Sequence, residues 1–415
     1  MKFSLITPTH RPTYIKELFD SIIKQSYENW EWILHLNGGV TKEDIPQEIV
    51  EHPKVKVTVD IPHEKSSNVG YQKNLAFRLG IGDILVEVDH DDLLVENCLE
   101  KLAQAYKENP EVGFVYSDDV LFKEDAVPYT SNCGWSYRDY FYEGKNYIAH
   151  NSFEPTAESL CTIFYAPDHV RSWRREAYIL AGGHNPDLSI LDDLDLLVRT
   201  YLITLFKRIP EPLYIYRVHG DNTWLERNAA IQEGTRRMMI ENIPRLAERD
   251  AELNGLLKLD LGGGLDPRPG YTSVDIRNGD IIADLTKKYP FEDNSVGVIW
   301  ASHFIEHIAD KQHTISEFHR VLADGGWALI DVPSTDGRGA WQDPTHVSFW
   351  NQNSFYYYTR REQARYIYNE DIKFQEWYLD TIFPSKWWKD NNIPVTRAYL
   401  SAIKSDRIRP GVRKI

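Results

Sequence analysis

The sequence predicts an α/β chain made of two successive parallel-sheet domains, and three observations carry that prediction. Strand-like and helix-like stretches alternate from the first residues, which builds βαβ units and places ligands at the carboxyl ends of strands. A second alternation begins abruptly at Leu256, where a strand, a glycine turn and another strand follow one another. The apolar run Ile84-Leu85-Val86-Glu87-Val88 delivers Asp89-His90-Asp91-Asp92 to the edge of a sheet, where solvent and ligand reach it.

Residues 3–7 read as a first strand, closed by Pro8; the apolar stretch is too short for a signal peptide. Residues 13–26 read as an amphipathic helix, 30–36 and 55–59 as strands, and 68–79 as a helix leading into the acidic strand. After Asp119 the pattern loosens into an aromatic, loop-rich stretch over 129–147. Helical signal returns over 174–180 and 192–205. Residues 225–254 are charged and mostly helical, interrupted at Pro244. In the second half, strands are expected at 256–261, 271–276, 296–301 and, after the turn Asp324-Gly325-Gly326, at 327–332. The domains expected are therefore 1–225 and 256–405, joined by a helical linker over 226–255.

Composition narrows the function. At 415 residues the chain exceeds one ordinary core. Its 42% hydrophobic and 26% charged content are those of a globular protein. A net charge of -15 argues against a nucleic-acid partner, which needs a basic face, but not against a nucleotide reached through a divalent cation. Cys98, Cys133 and Cys161 form neither a disulfide framework nor a zinc signature, so a reducing, cytoplasmic setting is expected. No run approaches the ~18 apolar residues of a transmembrane segment. The oligomeric state is not legible.

Asp89 and Asp91 stand two apart, so extended backbone leans both side chains to one side. Hard oxygen ligands set that way suit Mg²⁺ or Mn²⁺, and such an ion holds a diphosphate. Without an ion these charges repel and raise one another's pKa. The alternative is an acidic turn, with Asp91 or Asp92 capping a helix that begins at Leu93. Around the cluster stand Thr7-Pro8-Thr9-His10-Arg11, whose backbone and hydroxyls suit a nucleotide, and 68–74, where Lys73 suits a phosphate. Further on come Gly182-Gly183-His184-Asn185, Asp192-Asp193 and Tyr216-Arg217-Val218-His219-Gly220-Asp221-Asn222. Asp192-Asp193 equally suits the charge of a helix start, and His219 an ordinary loop.

This layout resembles family 2 glycosyltransferases of the GT-A fold over roughly the first 225 residues, on the order Pro8-Thr9, Asn68/Gly70/Asn74, Asp89 to Asp92, Gly182-Gly183, Asp192-Asp193 and Tyr216 to His219. The resemblance implies inverting transfer from a nucleotide-diphosphate sugar to a glycan or polysaccharide acceptor. Asp91 then binds the cation, Asp89 the ribose or the metal shell, and His219 closes that shell. Asp193, with Asp192 beside it, is the base that deprotonates the acceptor hydroxyl. Thr7, Thr9, Arg11, Asn68, Lys73 and Asn74 fall among the donor-binding positions. Where the family commonly carries an acidic pair after the second strand, this chain has Asn37-Gly38-Gly39, which shifts base recognition toward Asp60. The acid pair is Asp-Asp where Glu-Asp is usual, and the Gln-x-x-Arg-Trp segment of processive synthases is missing.

In the second half, Leu259-Asp260-Leu261-Gly262-Gly263-Gly264 is a strand followed by a glycine turn, and Asp275 ends the next strand. With Ala283-Asp284-Leu285, Ser302-His303-Phe304-Ile305-Glu306-His307 and the strand ending Asp331-Val332-Pro333, this resembles class I S-adenosylmethionine-dependent methyltransferases, which have a Rossmann-like fold. The resemblance implies that Gly262 and Gly264 pass the methionine part of the cofactor and that Asp275 holds its ribose. Asp284 then lies near the adenine with Leu285 packed on it, and Ser302 and His303 lie at the sulfonium end. A sugar hydroxyl needs a general base. His303, His307 and Asp343-Pro344-Thr345-His346 are the candidates, and the aromatic tract 349–358 lines a groove or fills the core. The expectation is a bifunctional enzyme that adds a sugar and O-methylates the glycan. Its rivals are a glycosyltransferase with a non-catalytic methyltransferase-like module, and a glycan-binding scaffold.

Overall fold

A computed structural model describes residues 1–123, 135–162, 167–219, 228–407 and 409. Cys133, Gly220-Asp221-Asn222 and the expected boundary at 225 lie outside the described residues. The chain forms two compact units whose main segments are Met1–Asn242 and Ile243–Arg407. The division falls inside the helix Asn228–Leu253, which runs through Pro244, rather than on a separate linker. Among the described residues no helix is long and apolar enough to cross a membrane.

In the first unit, β1 (Phe3–Thr9), β2 (Trp30–Leu36), β3 (Val55–Val59) and β4 (Ile84–Glu87) pair in parallel. The rest of the sheet is β5 (Leu93–Leu94), β6 (Val112–Lys123), β9 (Arg171–Arg174) and β10 (Leu205–Val218), in the order β3-β2-β1-β4-β9-β6-β10-β5, with a hairpin of β7 (Ser136–Tyr142) and β8 (Lys145–Asn151) joined to β6. From β1 the chain steps outward through β2 and β3, then returns to place β4 on the other side. The order therefore reverses between β1 and β4, which opens a crevice beyond their carboxyl ends. The helix Ile15–Ile23 buries Ile15, Leu18, Phe19 and Ile22, a spacing that makes one apolar stripe. Each such side chain contributes about 1.5–3 kcal/mol of burial.

Two local expectations change. Pro8 does not end β1, which continues to Thr9. Neither Asp91 nor Asp92 caps a helix: Leu93–Leu94 forms β5 against β10, and the next helix, Cys98–Glu108, starts after Asn97. Asp92 instead turns inward, 1% exposed, and accepts the Arg217 backbone N–H at 2.7 Å.

The second unit holds β11 (Leu257–Leu261), β12 (Thr272–Asp275), β13 (Ile281–Ile282), β14 (Val296–Ser302), β15 (Leu322–Pro333), β16 (Phe374–Ile382) and β17 (Val395–Ala402). Their order is β13-β12-β11-β14-β15-β17-β16, parallel through β15 and antiparallel beyond it. The glycines expected as a turn before the fourth strand sit within β15: Leu322 pairs with Val296 and Trp327 with Val298, so the segment bulges, with Gly325 at φ 80°. The order reverses between β11 and β14, again setting a crevice at two strand ends. Trp350, Phe355 and Tyr358 of the aromatic tract are core, whereas Tyr357 is exposed.

Candidate active sites

The first crevice is built on charge. Glu87, the last residue of β4, is 1% exposed and lies 2.5 Å from Lys73 Nζ and 3.9 Å from Arg171. Burial favours its neutral form, but Lys73 and Arg171 outweigh that and hold it ionised far below the usual carboxylate range. Lys73 also faces Asp192 at 3.6 Å. Burial opposes the Lys73 charge, yet Asp192 and Glu87 together raise its pKa well above normal. Lys73 is therefore committed to an internal network, which corrects its assignment to a phosphate. Lys73→Met should cost roughly 3–5 kcal/mol, because it leaves buried carboxylates uncompensated. Urea unfolding measures this, and a loss under about 1 kcal/mol would show that Lys73 does not hold them.

Three other residues expected at the donor site make contacts within the protein. The Thr7 hydroxyl is fully buried and accepts from Trp32 Nε1 at 2.9 Å. Asn68 Nδ2 donates to the Pro186 carbonyl at 3.1 Å, and buried Asn74 donates to the His184 carbonyl at 2.7 Å. These amides tie the helix Val69–Phe77 to the loop after Gly183, where a Cβ on Gly70 would meet Asn185 O at 2.1 Å. Thr9 closes its own turn by accepting from the Arg11 N–H at 3.1 Å, and Arg11 is half-buried. Asp60 Oδ2 accepts from Gln72, whose Oε1 accepts from His35 Nε2 at 2.9 Å, while Asp60 Oδ1 is buried without a partner. That oxygen suits a base N–H donor.

The metal positions converge in part. Asp91 Oδ2 and His219 Nε2 stand 2.8 Å apart, each 15% exposed. Tyr14 stacks on the His219 ring at 5.8 Å, and Arg217 Nε donates to the Asp91 carbonyl at 2.8 Å. Asp89 is turned toward a different partner: its Oδ2 lies 3.6 Å from His169 Nε2, and His169 Nδ1 lies 3.2 Å from Asp168. One carboxylate and one imidazole half-open to solvent fit a divalent ion that takes its other ligands from diphosphate and water.

Asp192 and Asp193 open the helix Asp192–Tyr201, after Leu191 at φ 62°. The helix Asn228–Leu253 covers Leu191: a Cβ at Gly234 would meet its Cδ1 at 2.6 Å. Asp192 is 4% exposed, and burial chiefly pushes its carboxyl up to about 7. Asp193 keeps 24% exposure, pairs with Arg171 Nη1 at 3.0 Å and accepts the Leu194 N–H at 2.8 Å. Of the two, Asp193 has the access a base requires.

The sequence reading missed Glu87, Arg171, Asp168 and His169. The available signal was Glu87 itself, a charge inside an apolar strand that demands a partner. It also missed Asp119, whose carboxyl is pushed up to about 7 by burial and then by Asp168, and which lies 3.7 Å from buried His150.

The second crevice follows the glycine turn. Gly262 has φ 78°, and a Cβ there would meet Phe304 at 2.9 Å; one on Gly264 would meet the Asp275 carboxylate at 2.9 Å. Asp275 Oδ1 accepts the N–H groups of Arg277 and Asn278, which leaves Oδ2 for a ribose hydroxyl. Ser302 ends β14 half-buried. His303 follows at φ 54°, 40% exposed, stacked on Trp388 at 5.8 Å and 3.5 Å from Glu306. Asp284 accepts from Thr286 N–H and hydroxyl at the surface. Leu285 is only 4% exposed within the core, which corrects its role as an adenine platform. The half-buried Asp275 and the side-chain-free turn fit S-adenosylmethionine.

Residues 4–160 match the family model described as glycosyl transferase family 2, and residues 265–330 match one described as a methyltransferase domain. Chondroitin synthase of Escherichia coli is 20% identical over 249 residues, covering 60% of this chain and 33% of that protein. An uncharacterized glycosyltransferase of Haemophilus influenzae is 26% identical over 240 residues, covering 55% of this chain and 69% of its own length. The crystal structure of S. aureus TarS 1-349 in complex with UDP-GlcNAc aligns at TM-score 0.45 and 16% identity, over 61% of this chain and 72% of that one. The chain thus spans only a third of the chondroitin synthase.

Proposed function

From a chain that joins a family 2 glycosyltransferase domain to a methyltransferase domain, we propose that the first domain transfers sugar, with inversion and with a divalent cation, to a glycan or polysaccharide. We propose further that the second domain O-methylates that glycan using S-adenosylmethionine. The observation that carries the first half is the Asp91–His219 pair beyond β4, with Asp193 set apart as an accessible carboxylate. Asp193 accepts the proton of the acceptor hydroxyl as its oxygen attacks the anomeric carbon and the nucleoside diphosphate departs from the opposite face. Arg171 holds that carboxylate in place, and Asp60 reads the base. A divalent cation bound at Asp91 and His219 would neutralise charge on the departing diphosphate. A polymeric acceptor is supported by relatives named for a polymeric product or acceptor, chondroitin synthase and a poly(ribitol-phosphate) β-N-acetylglucosaminyltransferase.

In the second domain, Asp275 anchors the ribose and the glycine turn lets the methionine chain pass. His303 then takes the acceptor proton as oxygen attacks the methyl carbon and the sulfonium leaves as a thioether. A thermal-shift screen of nucleotide sugars with and without Mn²⁺ tests the first half, since a donor stabilises the fold by mass action. One nucleotide sugar should raise the midpoint, and more so with Mn²⁺; no shift from any of them would sink the donor assignment. Titration with S-adenosylmethionine tests the second half, and binding without methyl transfer to any glycan would reduce that domain to a binding module.

A further inference from the structure

The turn after β14 gathers a set of donors that the methyl-transfer scheme above leaves unused. The short turn Ile305–His307 sends Glu306 inward, 2% exposed, and His307 outward. Both Glu306 carboxylate oxygens are buried, and neither has a hydrogen-bond partner. Among the described residues no Lys or Arg pairs with them. The neighbours are imidazoles: His303 Nδ1 at 3.5 Å and His346 Nε2 at 3.9 Å. An ionised carboxylate buried without a cation is costly.

The chain fixes this cluster deliberately. Val347 and Ser348 N–H groups both donate to the Glu306 carbonyl, at 2.9 and 3.0 Å. The Ser348 hydroxyl donates to the Ile305 carbonyl and accepts from Trp350 Nε1. This clamps His346 against Glu306. His346 Nδ1 donates to the Ala340 carbonyl at 3.0 Å, and His307 Nδ1 to the Thr345 carbonyl at 3.2 Å. A ring nitrogen tied to a carbonyl fixes the tautomer and leaves Nε2 with its lone pair, the outer support that ligand histidines receive. Ligand atoms of Glu306, His307 and His346 all lie within 4.8 Å of one another.

We infer that Glu306, His307 and His346 bind a divalent transition-metal ion, with a coordination position open to the acceptor hydroxyl. Two imidazoles and one carboxylate suit Zn²⁺, Fe²⁺ or Co²⁺ better than Mg²⁺, which favours oxygen ligands throughout. The site adjoins the methyl-transfer crevice, because Phe304 between His303 and Ile305 packs on Gly262. An ion there polarises the acceptor hydroxyl and makes it more acidic. His303 then receives the proton, the new bond forms from oxygen to methyl carbon, and the carbon–sulfur bond breaks. That use of the ion rests on the proposed methyl transfer; the site itself does not.

The test is Co²⁺ titration of the full chain, followed by visible absorption, with bound ions counted by equilibrium dialysis. E306Q and H346Q should each weaken Co²⁺ at this site at least ~10-fold, while D91A, altered in the other domain, retains it. Unchanged Co²⁺ binding in E306Q overturns the inference. If E306Q fails to fold, H307Q decides at a surface position: weakened binding supports the site, and undiminished binding overturns it. S-adenosylmethionine titration of the same proteins separates the two ideas. Wild type that takes Co²⁺ here but no S-adenosylmethionine sinks methyl transfer and leaves the ion site standing.

Discussion

Asp91→Ala lowers cation-supported sugar transfer by about 10³-fold, the order seen when one group opposing transition-state charge is lost. The substitution removes the carboxylate that stands 2.8 Å from His219 Nε2, so a cation at the departing diphosphate would lose the only anionic protein ligand of the proposed pair. The fold should survive, because the Asp91 backbone carbonyl that accepts from Arg217 remains. Initial rates at saturating Mn²⁺ give the effect. The Mn²⁺-dependent part of the thermal shift by the nucleoside diphosphate should vanish with it. Wild-type rates in Asp91→Ala would remove the cation from this residue. Asp92 offers the contrast: buried and tied to the Arg217 N–H, its loss would act on stability.

Asp193→Asn lowers kcat by roughly 10²–10⁴-fold, the range for a positioned general base, and leaves the donor's thermal shift intact. An amide keeps the shape and the contact to the Leu194 N–H but cannot accept the acceptor's proton. In the proposed scheme the donor is held at Asp60 and Asp91 rather than at this carboxylate, so KM for the nucleotide sugar should stay within a few-fold. Asp192 cannot take over the role, since it is 4% exposed and faces Lys73. The reverse result, full activity in Asp193→Asn and loss in Asp192→Asn, would transfer the role to Asp192.

Strand ends were the legible part of this chain. Apolar runs followed by Asp89, Gly262 or Ser302 announce themselves locally, so the strand ends that border both crevices are readable from pattern. What pattern does not carry is who meets whom. Lys73 reads as a cation suited to phosphate, and only the fold places it on Glu87 and Asp192. Thr7 reads as an available hydroxyl until Trp32, twenty-five residues away, takes it. Asp91 and His219, 128 positions apart, were associated only through a family resemblance, because no local signal links them. The strands β16 and β17 escaped notice because their antiparallel pairing on β15 rests on alternation mixed with Glu376, Asp380 and Arg397.

The helix turn over Leu191 bears on where the chain can be divided. Ile231 and Gly234 lie beyond residue 225, yet Ile231 is 5% exposed in the first unit and Gly234 rests on Leu191. Leu191 is held in a left-handed conformation directly ahead of Asp192 and Asp193. A chain cut at 225 would expose that leucine and free the joint ahead of Asp193, the proposed base, while keeping every residue of the acidic cluster. Such a fragment would hold donor and cation but lose turnover. The main segment of the first compact unit accordingly runs on to Asn242, where it gives way to the second.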